Sequence, residues 1–224
     1  MRNLAILLTV AGVLPGCSTV PHYPAVPPDA SAPSRPQELL LRHLSPYATK
    51  QEQTAAIGYV TGRSDAVDPT VLFEVSARLF ERGEKDLAAF WFYAAQLRTR
   101  FDVNRCRDKT AAGVASSLTR AYGLRINEYT FANVPTLKKL VPMVIEWDRG
   151  TPHNYPPGWA CVGGINFIVR ELGRATGSSP YPGTQSDLQG LVPSSEWPAI
   201  EERTREDYMR GFTDAMASLP TATR

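Results

Sequence analysis

The chain has 224 residues, 43% of them apolar and 21% charged, and its 24 basic and 22 acidic side chains leave a formal net charge of +2. That length is enough for one domain with a real core. The cations are dispersed among acids, as in Glu81-Arg82-Gly83-Glu84-Lys85-Asp86, which is a solvated pattern rather than the basic stripe that nucleic acid requires.

The chain opens as an export signal: Met1-Arg2-Asn3, an apolar run from Leu4 to Val13, then Leu14-Pro15-Gly16-Cys17. The run is too short to span a bilayer. A cysteine directly after Leu-Pro-Gly resembles the lipobox of bacterial lipoproteins, with Pro15 where Ala or Ser is usual. The resemblance implies that residues 1–16 are removed and that Cys17 is acylated; an ordinary secretory signal with an incidental Cys17 is the alternative. Several acyl chains anchor firmly, each buried methylene contributing about 0.8 kcal/mol. Ser18 rather than Asp after the anchor implies, by the same resemblance, an outer-membrane lipoprotein facing the periplasm.

Residues 17–36 are rich in proline and poor in large aliphatic side chains, so they cannot bury enough surface to offset their ordering entropy, and they read as a semi-extended tether. The remainder, 37–224, reads as a single domain. A first helix is expected near Pro36, with Ser34 as cap and Gln37 three residues on, ending at Ser45-Pro46. Asp68 before Pro69 gives an N-cap and a first-turn proline. Leu72, Phe73, Val75, Leu79 and Phe80 then lie at helical spacing up to Gly83. Leu87, Ala88, Phe90, Trp91, Ala94, Ala95 and Leu97 continue a second helix, antiparallel to the first across the short turn. In this stretch Leu72, Val75, Leu79, Gly83, Ala88, Phe92 and Ala95 resemble the register of one tetratricopeptide or Sel1-like hairpin. No second or third copy follows at that period, so an array is not expected.

Arg107 to Tyr122 predicts a helix whose small residues Ala111, Ala112, Gly113, Ala115, Ser116 and Ser117 form a close-packing face, with Gly123 as its C-cap. Residues 126–131 are read as a short extended piece or a turn. A helix from Val134 to Trp147 turns Leu137, Leu140, Val141, Val144 and Ile145 inward, and Pro142 should kink or divide it. After a loop over 151–158 come a helix at Ile165–Ala175, a second Pro/Gly-rich loop over 177–198, and a last helix at Ala199–Leu219 with Ile200, Tyr208, Phe212, Ala215, Met216 and Leu219 on one side and Glu201, Glu202, Arg205 and Glu206 outward. The fold class is mainly α: a compact helical domain with one hairpin of that kind and long Pro/Gly-rich loops. With Cys17 acylated, Cys106 and Cys161 are expected to pair in an oxidising compartment. Two free thiols, or a zinc site without a second ligand at metal spacing, are the alternatives.

Chemistry is sparse. Of three histidines, His22 falls in the tether and His43 on the first helix, leaving His153 in a loop of polar and aromatic residues. There is no nucleophile elbow, His-Glu-x-x-His pair, Walker loop or dinucleotide glycine fingerprint. Glu146, Asp148 and Glu171 are the carboxylate candidates for a cell-wall or lipid-modifying enzyme, but two-residue spacing puts Glu146 and Asp148 on different helix faces. The reading is therefore not an enzyme, with no catalytic residue, no cofactor and no metal.

Binding asks less of the residues. The candidate partner-binding residues are the loop-borne His153, Tyr155, Trp159 and Tyr181, together with Tyr93 and Arg98 as the exposed part of the aromatic run Phe90-Trp91-Phe92-Tyr93. Trp159 and Trp197 would equally serve to staple the long loops onto the helices. A lipobox, a proline-rich tether and a helical domain carrying Phe90-Trp91-Phe92-Tyr93-Ala94-Ala95-Gln96-Leu97-Arg98 are together similar to periplasmic immunity proteins of type VI secreted lipase effectors. That resemblance implies a protein partner, a secreted lipase blocked at the membrane it attacks. An adaptor in envelope biogenesis or secretion, using the hairpin as a groove, is the second reading.

Overall fold

In the computed structural model, residues 37–177 and 190–218 are described, and among them the protein is mainly α, as its sequence predicts. The described residues form eight α-helices, in order α1 Gln37–His43, α2 Lys50–Gly62, α3 Pro69–Glu81, α4 Lys85–Asn104, α5 Ala112–Ala132, α6 Val134–Gly150, α7 Ile165–Ala175 and α8 Trp197–Ala217. Short 3-10 turns lie at Lys109–Ala111, Pro157–Gly163 and Ser194–Glu196. No described helix is long and apolar enough to cross a membrane. The lipobox with Cys17, the tether with the Ser34 cap, and Tyr181 lie outside the described residues.

The architecture is built around α4. Ala88 to Leu97 is buried at every position, and a helix apolar all round must be sheathed by others. α3, α5, α6 and α8 supply the sheath. α3 returns antiparallel to α4 across Gly83, whose φ of +83° only glycine adopts freely. Asp68 caps α3 by accepting from the Thr70 amide at 2.9 Å, with Pro69 in the first turn. Aromatic edges lock the layers: Phe73 meets Phe92 with ring centres 5.7 Å apart, and Trp91 meets Trp147 at 5.4 Å.

Several expectations are corrected. Helix α2 was not anticipated, because its apolar residues do not gather on one stripe, yet Thr49 and Glu52 form a reciprocal capping box at its start. Gly123 is not a C-cap but lies inside α5, where Phe92 presses so close that a Cβ would meet its Cζ at 2.9 Å. The helix thus continues through 126–131, which is neither strand nor turn. Of the small-residue face, Ala111 is buried whereas Ala112, Gly113, Ser116 and Ser117 face outward. Pro142 does not divide α6, since it lies on the exposed side while Val141 and Val144 hold that turn on the core. Arg205, expected outward, is buried, and Ala215 is exposed.

Cys106 and Cys161 are joined, their Cα atoms 5.4 Å apart, which ties the end of α4 to the turn at Pro157–Gly163. Arg107 N donates to Gly190 O and Val192 N to Arg105 O, so the chain returning toward α8 is fastened beside the same cysteine. That end of the bundle carries the features described next.

Candidate functional site

Arg98 and Asp102 share one side of α4 at its last turns, where both charges are buried and must find partners inside the protein. Arg98 is fully buried. Its Nε donates to Asp148 Oδ1 at 3.0 Å, Nη1 to Ser64 O at 2.8 Å and Nη2 to Thr151 O at 2.8 Å, and the guanidinium lies 4.3 Å from the ring centre of Trp147. One planar fork thereby binds the α2–α3 connection, α6 and the loop after it. Arg205 of α8 donates from Nε to the other oxygen, Asp148 Oδ2, at 2.9 Å, and also reaches Glu201 and Glu202. His153 donates from Nε2 to Asp148 Oδ1 at 2.8 Å; its Nδ1 is buried without a hydrogen-bond partner among the described residues.

Burial alone would raise the Asp148 pKa, but the hydrogen bond from His153 and the charges of Arg98 and Arg205 hold it far below the usual carboxylate range. Burial pushes the His153 pKa below the usual imidazole value, helped by the charge of Arg98 and opposed by the hydrogen bond that the ring donates to Asp148. The ring packs edge-on to Phe101 at 4.9 Å and stacks on Tyr155 at 5.9 Å.

A second polar knot adjoins through Tyr155. Asp102 accepts from Trp159 Nε1 at 2.6 Å and from the Tyr155 hydroxyl at 3.2 Å, and pairs with Arg105. Burial pushes Asp102 up to about 6 despite those partners, and pushes Tyr155 well above the usual tyrosine range. Arg105 spans the rings of Phe101 and Trp197 at 4.0 and 4.6 Å. Trp197 Nε1 donates in turn to Val192 O at 3.0 Å. Trp159 and Trp197 therefore staple loops to helices.

Asp148, His153 and Glu201 bring ligand atoms within 4.8 Å of one another, but a divalent cation there would face two guanidiniums already bonded to both oxygens of Asp148. The donor set fits an ion-pair lock, not a metal. Glu146 is exposed on the opposite side of its helix from buried Asp148, so the two carboxylates do not converge.

The open surface lies elsewhere. A depression of about 340 Å³ between α4, α5, α6 and α8 has Tyr93, Phe131, Tyr208 and Phe212 on its walls, and a second, of about 630 Å³, follows the seam of α4 and α5 past Asn104 and Thr119. Both are lined by Arg100 and Asn127, so the two depressions are neighbours that share these side chains. Arg100 lies 5.0 Å over the Tyr208 ring, and the Tyr93 hydroxyl is within hydrogen-bonding distance of Thr130 Oγ1 at 3.0 Å and donates to Asn127 Oδ1 at 3.2 Å.

The expected exposure of Tyr93 and Arg98 is thus corrected: Tyr93 is 7% exposed and offers the groove only its edge, and Arg98 offers nothing to a partner. Tyr155 is buried, His153 is half-buried with its ring held in the lock, and Trp159 is half-buried against Asp102. Arg100, Asn127 and Tyr208 were missed, because single polar residues on three different helices leave no local pattern. Arg98 and Asp102 had a signal: opposite charges four apart on one face, directly after the apolar run from Ala88 to Leu97, imply a buried network. No protein-family model, no curated protein and no solved structure matches this chain.

Proposed function

We propose that this protein is a lipid-anchored binding module of the outer membrane, facing the periplasm, and that it serves as an immunity protein occluding a type VI secreted lipase. The observation that carries the binding reading is the pair of neighbouring depressions that share Arg100 and Asn127, one walled by Tyr93, Phe131, Tyr208 and Phe212 and the other by Val103 and Leu124 among polar Asn104, Thr119 and Arg120. The conspicuous titratable residues support it from the other side, since Asp148, His153 and Asp102 are engaged in holding loops to helices. A groove along the α4–α5 seam also suits a partner's amphipathic helix, which favours the adaptor as second reading.

The test is capture from detergent-solubilised envelopes mixed with extracts of competing bacteria, with the parent chain beside Arg100→Glu. Recovery of a lipase at one-to-one stoichiometry, reduced at least tenfold by the charge reversal, is the expected result. Unabated toxicity of that lipase in cells making the protein would overturn the immunity role, and recovery of an assembly or secretion component instead would favour the adaptor.

A further inference from the structure

Helix α7 is mounted inside out. Arg170 is 1% exposed, whereas Ile165 and Leu172 are 62% and 65% exposed, with Ile168, Val169 and the preceding Val162 beside them. At about 100° per residue, Ile165, Ile168, Val169 and Leu172 fall within an arc of about 100°, so a complete apolar stripe points away from the protein. Water-exposed helices place that stripe inward, and monomers rarely leave so contiguous a patch uncovered.

The orientation is enforced by specific bonds. Gly164 provides no side-chain cap, and the open amides of α7 are taken by another segment: Ile165 N donates to Thr110 Oγ1 at 2.8 Å and Phe167 N to Asp108 Oδ2 at 3.3 Å, while Asn166 Nδ2 donates to Asp108 Oδ1 at 3.1 Å. The Cys106–Cys161 bond clamps the turn that leads into it.

We propose that this outward face of α7 docks on the surface of a phospholipid bilayer. The patch is made of Ile, Val and Leu, without the aromatic and arginine anchors that protein interfaces favour, whereas hydrocarbon asks only for apolar area about 5–10 Å deep. Exposed Arg107 and Lys109 stand on either side of Asp108, and although Arg107 Nε donates to Leu191 O and Lys109 Nζ to the Asn104 and Cys106 carbonyls, they leave a net positive charge on the segment that caps the helix, favourable toward anionic headgroups. Residues 178–189, which follow α7 almost at once, carry only Tyr181 and Leu188 as large apolar side chains, too few to cover five aliphatic ones.

The point of chain entry agrees. The Gln37 side chain is bonded to Asp68 at the start of α3, and because α3 and α4 are antiparallel, that start lies at the same end of the bundle as Cys106 and α7. Residues 17–36 at about 3 Å each could span up to roughly 60 Å, ample for Cys17 and α7 to meet one membrane together. This last step rests on the reading of Cys17 as acylated, and the test separates the two.

The full chain is made in a Gram-negative host and reconstituted in vesicles of phosphatidylethanolamine and phosphatidylglycerol, with an environment-sensitive fluorophore at Ile168→Cys or Leu172→Cys and, as control, at exposed Leu124→Cys on α5. Mass spectrometry of the amino-terminal peptide reports acylation independently. Blue-shifted emission quenched severalfold by doxyl-labelled lipid at 168 and 172, and not at 124, is expected whether or not Cys17 is acylated. Label-free, amide exchange across α7 should slow when vesicles are added, and the double variant Ile168→Asn, Leu172→Asn should lose that slowing. Labels that stay wet in vesicles overturn the proposal. So does protection that depends on protein concentration and not on lipid, which would assign the face to a second copy, and so does protection that appears only with a protein partner.

Discussion

At Arg98, one guanidinium meets three acceptors that come from three separated stretches of chain, Asp148, Ser64 and Thr151. Removing it strands Asp148 as a buried charge with half its compensation gone and leaves two buried carbonyls open. Arg98→Ala should therefore lower unfolding free energy by about 3–5 kcal/mol in denaturant titrations. Arg98→Lys should recover little, since a single ammonium cannot reach all three acceptors in the planar geometry.

His153 makes the stability depend on pH. Its folded pKa is depressed chiefly by burial, so as pH falls below about 6.5 the unfolded chain binds the proton first and the folded state loses stability. Asp102 acts oppositely: raised to about 6, it takes up a proton in the folded state first, and stabilises relatively as pH falls from about 6 toward 4. His153→Gln keeps a donor toward Asp148 and removes only the imidazole titration. The loss of stability between about pH 7.5 and 5.5 should therefore be smaller in the variant than in the parent, by up to about 1.4 kcal/mol per pH unit over the affected window, when both are melted at each pH. An equal loss in the two would show that His153 titrates freely.

At the level of elements, helix α7 depends on a glycine that precedes it. A Cβ at Gly164 would fall 2.3 Å from Asp108 Oδ2, so Gly164→Ala must push away the carboxylate that caps the helix. The expected result is faster amide exchange over 165–175 with the α3–α4 hairpin unchanged, at a global cost of about 1 kcal/mol or more. Reducing the disulfide should loosen the same region, and on the loop-entropy model an unstrained bridge closing 55 residues contributes about 4 kcal/mol. The helices were legible where a start signal and periodicity agreed, as with the Asp68 cap and Pro69 of α3 and with Pro135 in the first turn of α6. They were illegible where a tertiary contact overrode a local rule: Gly123 reads as a stop, but Phe92 packed against it makes it a mid-helix contact. The exposed stripe of α7 was hidden for a different reason, since a spacing of three and four identifies a face without saying which way it looks.

For the whole molecule, mainly α character and the cysteine pair followed from composition, periodicity and the expected compartment, because those depend on sums over many residues. The site did not. Its lock joins Ser64, Arg98, Asp148, His153 and Arg205, and its groove joins helices α4, α5, α6 and α8, so each is a product of how the bundle closes. Aromatic loop residues that suggested a contact surface, Tyr155 and Trp159, turned inward because buried Asp102 needed donors.

The lock also supplies a means of tracing kinship where ordinary resemblance has faded. A fork that engages a carboxylate on one side and two main-chain oxygens on the other admits no other residue type, so Arg98 and Asp148 should be lost or kept together in any chain that closes in this way. An arginine on a long apolar helix, an aspartate fifty positions later, a histidine five beyond that and a second arginine on the terminal helix form a sparse signature, and a search built on those four positions would recognise cousins by their shared keystone.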